Sequence, residues 1–392
     1  MLNGSVAPWP SYGEEEQQAV ARLLASGRVN YWTGGETREF EREFAAWTGS
    51  ARAVAVFNGT VALDLALHAL GIGEGDEVIV TPRTFIASVS CVVNAGAIPV
   101  FADVDRDSGN IHPDTVEKLI TPRTRAILPV HLAGWPCDMA AFRALADKHR
   151  LLLIEDCAQA HGATVDGRMV GTFGDIGAWS FCQDKIMTTG GEGGMVTTDR
   201  EELWSTMWSY KDHGKSWSAV YEHAHPPGYR WLHETFGTNF RMIEVQAALG
   251  RIQLRRMAEW TAKRTANARA CIEVLRRFEG AVRVPEPPDR LTHAYYRLYA
   301  YFREDGLRSG WSRDRIVAEL TELQIPAFHG GCSEVYLEKA FDSSGFRPAE
   351  RLPVARELGE TSLMFLTHPT LSESDLERIR SAIDSVFSRA AR

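Results

Sequence analysis

Between about residues 52 and 200, short apolar runs alternate with stretches whose apolar positions recur at helical spacing. RAVAVF (52–57), EVIVT (77–81), IPVFADV (98–104), RAILPVHL (125–132), LLLIED (151–156) and IGAWSF (176–181) predict strands. TVALDLALHALG (60–71), FIASVSCVVNAG (85–96) and FRALADKHR (142–150) predict the helices between them. Such alternation predicts a mostly parallel sheet covered on both faces. Ligands of these sheets bind beyond the carboxyl ends of the strands, so the turns that follow them are where chemistry is expected.

Beyond residue 255 the pattern changes. Residues 251–278 predict one long, basic, amphipathic helix, and AYYRLYAYF (294–302) a strand. A helix at 312–324, a short strand near 363–366 and a helix at 372–388 follow, the last opened by a capping box from Thr370 to Glu373. The expected organisation is a large domain over 15–255 and a smaller C-terminal α/β domain over 256–392, joined by residues 1–14.

A chain of 392 residues suits that size. Its formal charge of −8 argues against non-specific binding of nucleic acid. The apolar runs are too short to span a bilayer, and the N-terminus lacks the basic and apolar regions of a secretory signal. A cytoplasmic protein with no membrane partner is expected. The six cysteines form no C-x-x-C pair and read as reduced thiols. Cys157, His161 and His131 match no usual ligand spacing, so no metal is expected.

Several turns carry candidate chemistry. In FNGTVAL (57–63), Gly59 permits close backbone approach and Thr60 puts a hydroxyl at a helix N-terminus. This is either an ordinary cap or an anion cradle. Asp156 ends strand 151–156, where a buried carboxylate needs a cation, and Gln159 follows on the turn. Phe85 is either core packing or an aromatic face. Ser180 precedes Lys185, which is followed by a glycine-rich turn at 190–194. A lysine there is a loop charge, a phosphate clamp or a nucleophile toward an aldehyde. Together the set fits pyridoxal 5'-phosphate. That cofactor needs a lysine for its aldehyde, a carboxylate for its ring nitrogen, an anion cradle and an aromatic face.

The motifs NGTVAL (58–63), TFIAS (84–88), EDCAQAHGA (155–163), SF-x-x-x-K (180–185), GEGGMV (191–196) and GTNFRMIEVQAALGRIQL (237–254) resemble the DegT/DnrJ/StrS sugar aminotransferases. The resemblance runs from about residue 15 to the C-terminus. It implies fold type I of the pyridoxal-phosphate-dependent transferases (aspartate-aminotransferase-like). It further implies that Lys185 binds the cofactor covalently and shuttles the proton, and that Asp156 holds the ring nitrogen. Gln159 would lie by the ring hydroxyl, Phe85 would stack, and Gly59, Thr60 and Ser180 would hold the phosphate. Asn239 would reach the cofactor of the neighbouring subunit, giving a homodimer with shared sites. Arg241 becomes a candidate anchor for the donor carboxylate, or an interface salt bridge. His329 becomes a candidate substrate contact.

The implied reaction moves an amino group from an amino acid, L-glutamate by expectation, to a keto-sugar. That acceptor would be nucleotide-linked and destined for polysaccharide or antibiotic amino-sugar biosynthesis. Alternatives are a free cyclic ketone of inosose or aminoshikimate type, a lyase or desulfurase using Cys182, and a non-catalytic cofactor-binding regulator. Cys182, Gln183 and Asp184 before the lysine, and an extra glycine after it, depart from the commonest family pattern.

Overall fold

A computed structural model describes residues 6–392. Seven strands form the central sheet: β1 (Arg52–Val56), β2 (Glu77–Val80), β3 (Ile98–Phe101), β4 (Thr124–Leu128), β5 (Leu152–Asp156), β6 (Ile176–Ser180) and β7 (Gly194–Thr198). Their order is β1-β7-β6-β5-β4-β2-β3. The pairs β2/β3, β2/β4, β4/β5 and β5/β6 are parallel. Strand β7 runs antiparallel to both its neighbours. It was not expected from the sequence, because it opens on Gly194, directly after Gly193, and only Met195 and Val196 supply an apolar run.

Successive strand residues point to opposite faces, and here both faces are covered. Ala53, Ala55, Ile79, Ile127, Leu153 and Trp179 join one core, in which Phe40 and Phe44 from the helix Glu36–Thr48 are fully buried. Val54, Val56, Val78, Val80, Ala126, Leu128, Ile154 and Ala178 join the opposite one, with Leu63, Leu65 and Leu67 from the helix Gly59–Ala69. Double coverage explains why these strands read as continuous apolar runs.

A second sheet has four strands in the order β8-β9-β11-β10, all pairs antiparallel: β8 (Val282–Arg283), β9 (Arg297–Phe302), β10 (Ala327–Phe328) and β11 (Ser362–Leu366). It packs with the helices Met257–Leu275, Arg313–Glu322 and Glu373–Ala390 around a third core, which also takes in Val6.

Three local expectations are corrected. Residues 251–278 are not one helix. Glu244–Arg255 and Met257–Leu275 meet at Arg256, whose ψ of −4° breaks the helical path. Two arginines of this stretch are committed internally: Arg251 pairs with Glu36 at 2.6 Å and Glu43 at 2.7 Å, and Arg256 with Glu16 at 2.6 Å. The last helix is opened by Ser372 and Asp375, not by Thr370 and Glu373. Thr370 instead donates its hydroxyl to the Pro8 carbonyl at 2.8 Å, tying the N-terminal segment to the small sheet's helices. Strand β3 stops at Phe101, short of the expected residue 104.

Candidate active site

Strands β1, β2, β5 and β6 deliver their carboxyl ends to one side of the central sheet. After β1 the chain turns at Asn58 into the helix Gly59–Ala69. The Asn58 side chain accepts a hydrogen bond from the Val61 N–H at 3.0 Å, so the cap is Asn58. The N–H groups of Gly59 and Thr60 precede any intrahelical acceptor and face an anion-favouring dipole. A Cβ on Gly59 would lie 2.5 Å from Ser180 Cβ, so only glycine lets the helix start approach the end of β6 this closely. Gln246 Nε2 donates to the carbonyls of Phe57 at 3.1 Å and Glu192 at 2.7 Å. This ties the β1 turn to the glycine turn beyond Lys185. In that turn Gly190 (φ 86°) and Gly191 (φ 116°) adopt backbone angles that side chains disfavour.

Asp156, at the end of β5, is only 4% exposed. Its Oδ2 accepts from Ser88 Oγ at 2.7 Å and its Oδ1 from the Ala158 N–H at 3.0 Å. Burial pushes its carboxyl up, against the lowering pull of Ser88 and Ala158. A buried carboxylate in this state lacks a full cationic partner. Gln159 accepts from the Ala133 N–H at 2.7 Å, which fixes its side chain at the rim. Phe85 is 68% exposed, which excludes the core-packing reading.

Lys185 is held from behind by Trp9, whose indole N–H donates to the Lys185 carbonyl at 2.8 Å. Its Nζ lies 3.7 Å from Asp184 Oδ1 and 5.2 Å from the centre of the Tyr296 ring. Burial pulls the ammonium down, but Tyr296, Asp184, Cys182 and Asp156 more than offset that, and the group is held above the ordinary lysine value. Tyr296 donates its hydroxyl to Asp184, and Arg297 Nη2 lies 3.5 Å from the same carboxylate. Burial, then Glu192, raises the Cys182 thiol. It stays protonated near neutral pH and lacks the lowered pKa that a desulfurase-type nucleophile needs.

These groups surround a cavity of about 640 Å³. Gly59, Thr60, Phe85, Asp156, Gln159, Ser180 and Lys185 all line it, although the chain brings them from four separate turns. Asn239, Arg241 and His329 do not. Arg241 is bonded to buried Asp212 at 2.6 Å. His329 is exposed and pairs with Asp314 at 3.1 Å. Asn239 is exposed and bridged to Asp212.

Ser88, Tyr296 and Arg297 were missed from sequence. A charged residue inside the aromatic strand AYYRLYAYF was the available signal for the last. Nearby, His131, Glu155 and Cys157 place potential ligand atoms within 4.8 Å of one another. Glu155 already accepts the N–H groups of Gly171, Phe173 and Gly174 at 2.6–2.7 Å. His131 Nδ1 accepts from the Cys137 N–H at 3.0 Å.

The residue set fits pyridoxal phosphate on the structure's own terms. Free helix N–H groups stand beside a glycine that a methyl would fill, a buried carboxylate lacks a cation, an aromatic side chain is exposed over the cavity, and a lysine projects into it. No helix among the described residues is long and apolar enough to cross a membrane.

Comparison with known proteins agrees. Residues 10–384 match the model of the DegT/DnrJ/EryC1/StrS aminotransferase family. The crystal structure of an aminotransferase from Psychrobacter cryohalolentis superimposes with a TM-score of 0.97 at 62% identity, covering 98% of this chain and 99% of that one. The spore coat polysaccharide biosynthesis protein SpsC of Bacillus subtilis is 35% identical, covering 97% of this chain and 96% of its own. GDP-perosamine synthase of Caulobacter vibrioides is 38% identical over 89% of each chain. With its doubly covered, mostly parallel sheet and its lysine-bearing cavity at the strand ends, this chain is an aminotransferase of fold type I and belongs to the DegT/DnrJ/EryC1/StrS family.

Proposed function

We propose that the protein binds pyridoxal 5'-phosphate through Lys185 and transfers an amino group from L-glutamate to a nucleotide-linked keto-sugar, as a step in making the amino sugars of a surface polysaccharide. The observation that carries this reading is the cavity itself, where Lys185, buried Asp156 and the Gly59–Thr60 helix start converge. The names of SpsC and GDP-perosamine synthase point to polysaccharide and to a nucleotide-linked sugar.

The cofactor supplies an aldehyde that condenses with amines and a ring that takes up the charge left on the donor's α-carbon. The chain's residues would do the rest. Asp156 would hold a proton on the ring nitrogen. Gly59, Thr60 and Ser180 would hold the phosphate, and Phe85 and Gln159 would hold the ring. Lys185 would move the proton to and from the donor's α-carbon. Asp184 and Tyr296 bracket its amine.

The reading includes a homodimer in which Asn239 serves the partner's cofactor. In its favour, Asn239 is exposed and outside its own chain's cavity. Tyr229, Trp231 and Phe236 are 75%, 85% and 100% exposed in a nearby segment of the chain, an apolar excess that a second copy would cover.

The test is the visible spectrum of the purified protein with pyridoxal phosphate, before and after L-glutamate, for wild type and Lys185→Ala. A yellow band that glutamate bleaches in wild type, and that the variant lacks, supports the reading. Reconstituted wild type without such a band would sink it.

A further inference from the structure

We propose that the N-terminal segment positions Lys185, through the Trp9 indole N–H on the lysine's carbonyl and the Tyr12 hydroxyl on the Gly190 N–H. This rests on the aminotransferase reading and adds to its site two positioning residues, neither of which lines the cavity.

The reactive lysine has little else to hold it. It sits in the connection between β6 and β7, which forms no helix or strand of its own. At the amine end, Asp184 Oδ1 stands 3.7 Å from Nζ, beyond hydrogen-bond reach. At the backbone end, the Lys185 N–H donates to the Cys182 carbonyl at 3.0 Å, within the same turn. Its carbonyl accepts the Trp9 indole N–H at 2.8 Å, from a residue 176 positions away. No backbone N–H among the described residues donates to that carbonyl. Downstream, the Gly190 N–H donates to the Tyr12 hydroxyl at 3.2 Å. The Thr188 N–H donates to Gln253 Oε1 at 2.8 Å. Bonds from outside the turn therefore decide where Lys185 stands, and the N-terminal segment supplies two of them.

The segment is itself well anchored. Trp9 is 8% exposed, meets Trp260 edge-on with ring centres 5.1 Å apart, and stacks with His368 at 6.2 Å. The guanidinium carbon of fully buried Arg264 lies 5.2 Å from the centre of the Trp9 ring, a cation–π contact that desolvation strengthens. The carbonyl of the preceding residue, Pro8, accepts the Thr370 hydroxyl at 2.8 Å. Trp9 thus joins the lysine turn to the helix Met257–Leu275 and to the segment after β11.

A hydrogen bond to a backbone carbonyl adds no charge to the cavity and no contact with a donor. Its loss should displace the lysine and slow proton movement, while donor binding stays as it was. A misplacement of about 1 Å costs on the order of 100-fold in rate.

The experiment uses the full chain, with Trp9→Phe keeping an aromatic ring and removing the donor. In the cofactor-free protein, hydrogen exchange over residues 183–193 is compared with exchange in β4 and β5. With pyridoxal phosphate bound, single-turnover bleaching of the visible band is followed over a range of L-glutamate concentrations. Exchange over 183–193 should quicken about 10-fold or more while β4 and β5 keep their wild-type rates. The band should form, and its bleaching at saturating glutamate should slow roughly 10- to 100-fold. Half-saturating glutamate should stay within about 2-fold of wild type, the mark of a lost contribution to the chemical step alone. A role in core packing alone would leave the saturated rate unmoved.

Wild-type exchange over 183–193 in Trp9→Phe overturns the proposal, as does an unchanged saturated rate. If Trp9→Phe does not fold, Tyr12→Phe decides. Faster exchange over 183–193 with a slower saturated rate supports the tether, and wild-type values for both overturn it. A wild type that forms no band sinks the proposed function. Faster exchange in Trp9→Phe then leaves the tether standing, and unchanged exchange overturns both.

Discussion

Ser88 Oγ and Asp156 Oδ2 lie 2.7 Å apart, joining the start of the helix Ala87–Asn94 to the end of β5 at the cavity. Ser88 is itself in contact with Thr84 Oγ1 at 2.7 Å. The hydroxyl relay orients the carboxylate without neutralising it, so Asp156 remains an acid raised chiefly by burial.

Its sign fixes a pH dependence. A carboxyl whose folded pKa is raised contributes stability that is fully present below its unfolded value, about 3.9, and is lost as pH rises through the folded value. In the cofactor-free protein, Asp156→Asn should therefore gain in melting temperature over wild type as pH rises from about 4 to 7. With cofactor, the same variant should lose roughly 100-fold or more in turnover, the scale of a lost proton-holding group. Thermal scans against pH and single-turnover absorbance check the two halves. A constant melting difference across pH would contradict the first.

Gly59→Ala should weaken cofactor binding by about 10-fold or more and cost about 1–3 kcal/mol of stability. The added methyl would meet Ser180 Cβ at 2.5 Å and its Oγ at 2.9 Å. Equilibrium dialysis of pyridoxal phosphate and chemical denaturation measure the two effects.

Phe85→Ala should change the stability of the cofactor-free protein by less than about 0.5 kcal/mol, because the ring is largely exposed. Its effect belongs in cofactor affinity. A loss of several kcal/mol in the cofactor-free protein would instead return Phe85 to the core.

Lys185→Ala and Asn239→Ala should complement each other. Each homodimer is impaired at both sites, whereas a mixed dimer of the proposed type carries one site with both residues intact. Refolding the two variants together should restore activity above that of either alone. No recovery would place Asn239 outside the shared site.

Glu155→Ala should destabilise by at least about 3 kcal/mol, since it strips the acceptor from three backbone N–H groups and from His131 in a fully buried setting. Urea denaturation of the cofactor-free protein reads this directly.

The sequence by itself determined six of the seven central strands, their order along the chain and the turns that carry Gly59, Thr60, Phe85, Asp156, Gln159, Ser180 and Lys185. These are local properties. Continuous apolar runs mark strands buried on both faces, and a polar or glycine residue at a strand's end marks its turn. Strand β7 escaped because glycines at its start hide a strand whose pairing to β1 and β6 is set by neighbours distant in sequence. The break at Arg256 escaped because periodicity carries across a single non-helical residue.

Only the tertiary structure decided which charges meet. Arg241 and Arg297 are both single arginines in aromatic surroundings along the chain. Folding commits the first to Asp212 and leaves the second at the cavity beside Lys185, sharing Asp184. Electrostatic partnership depends on distances between segments more than a hundred residues apart, such as Asp184 and Arg297, and no local pattern encodes those distances.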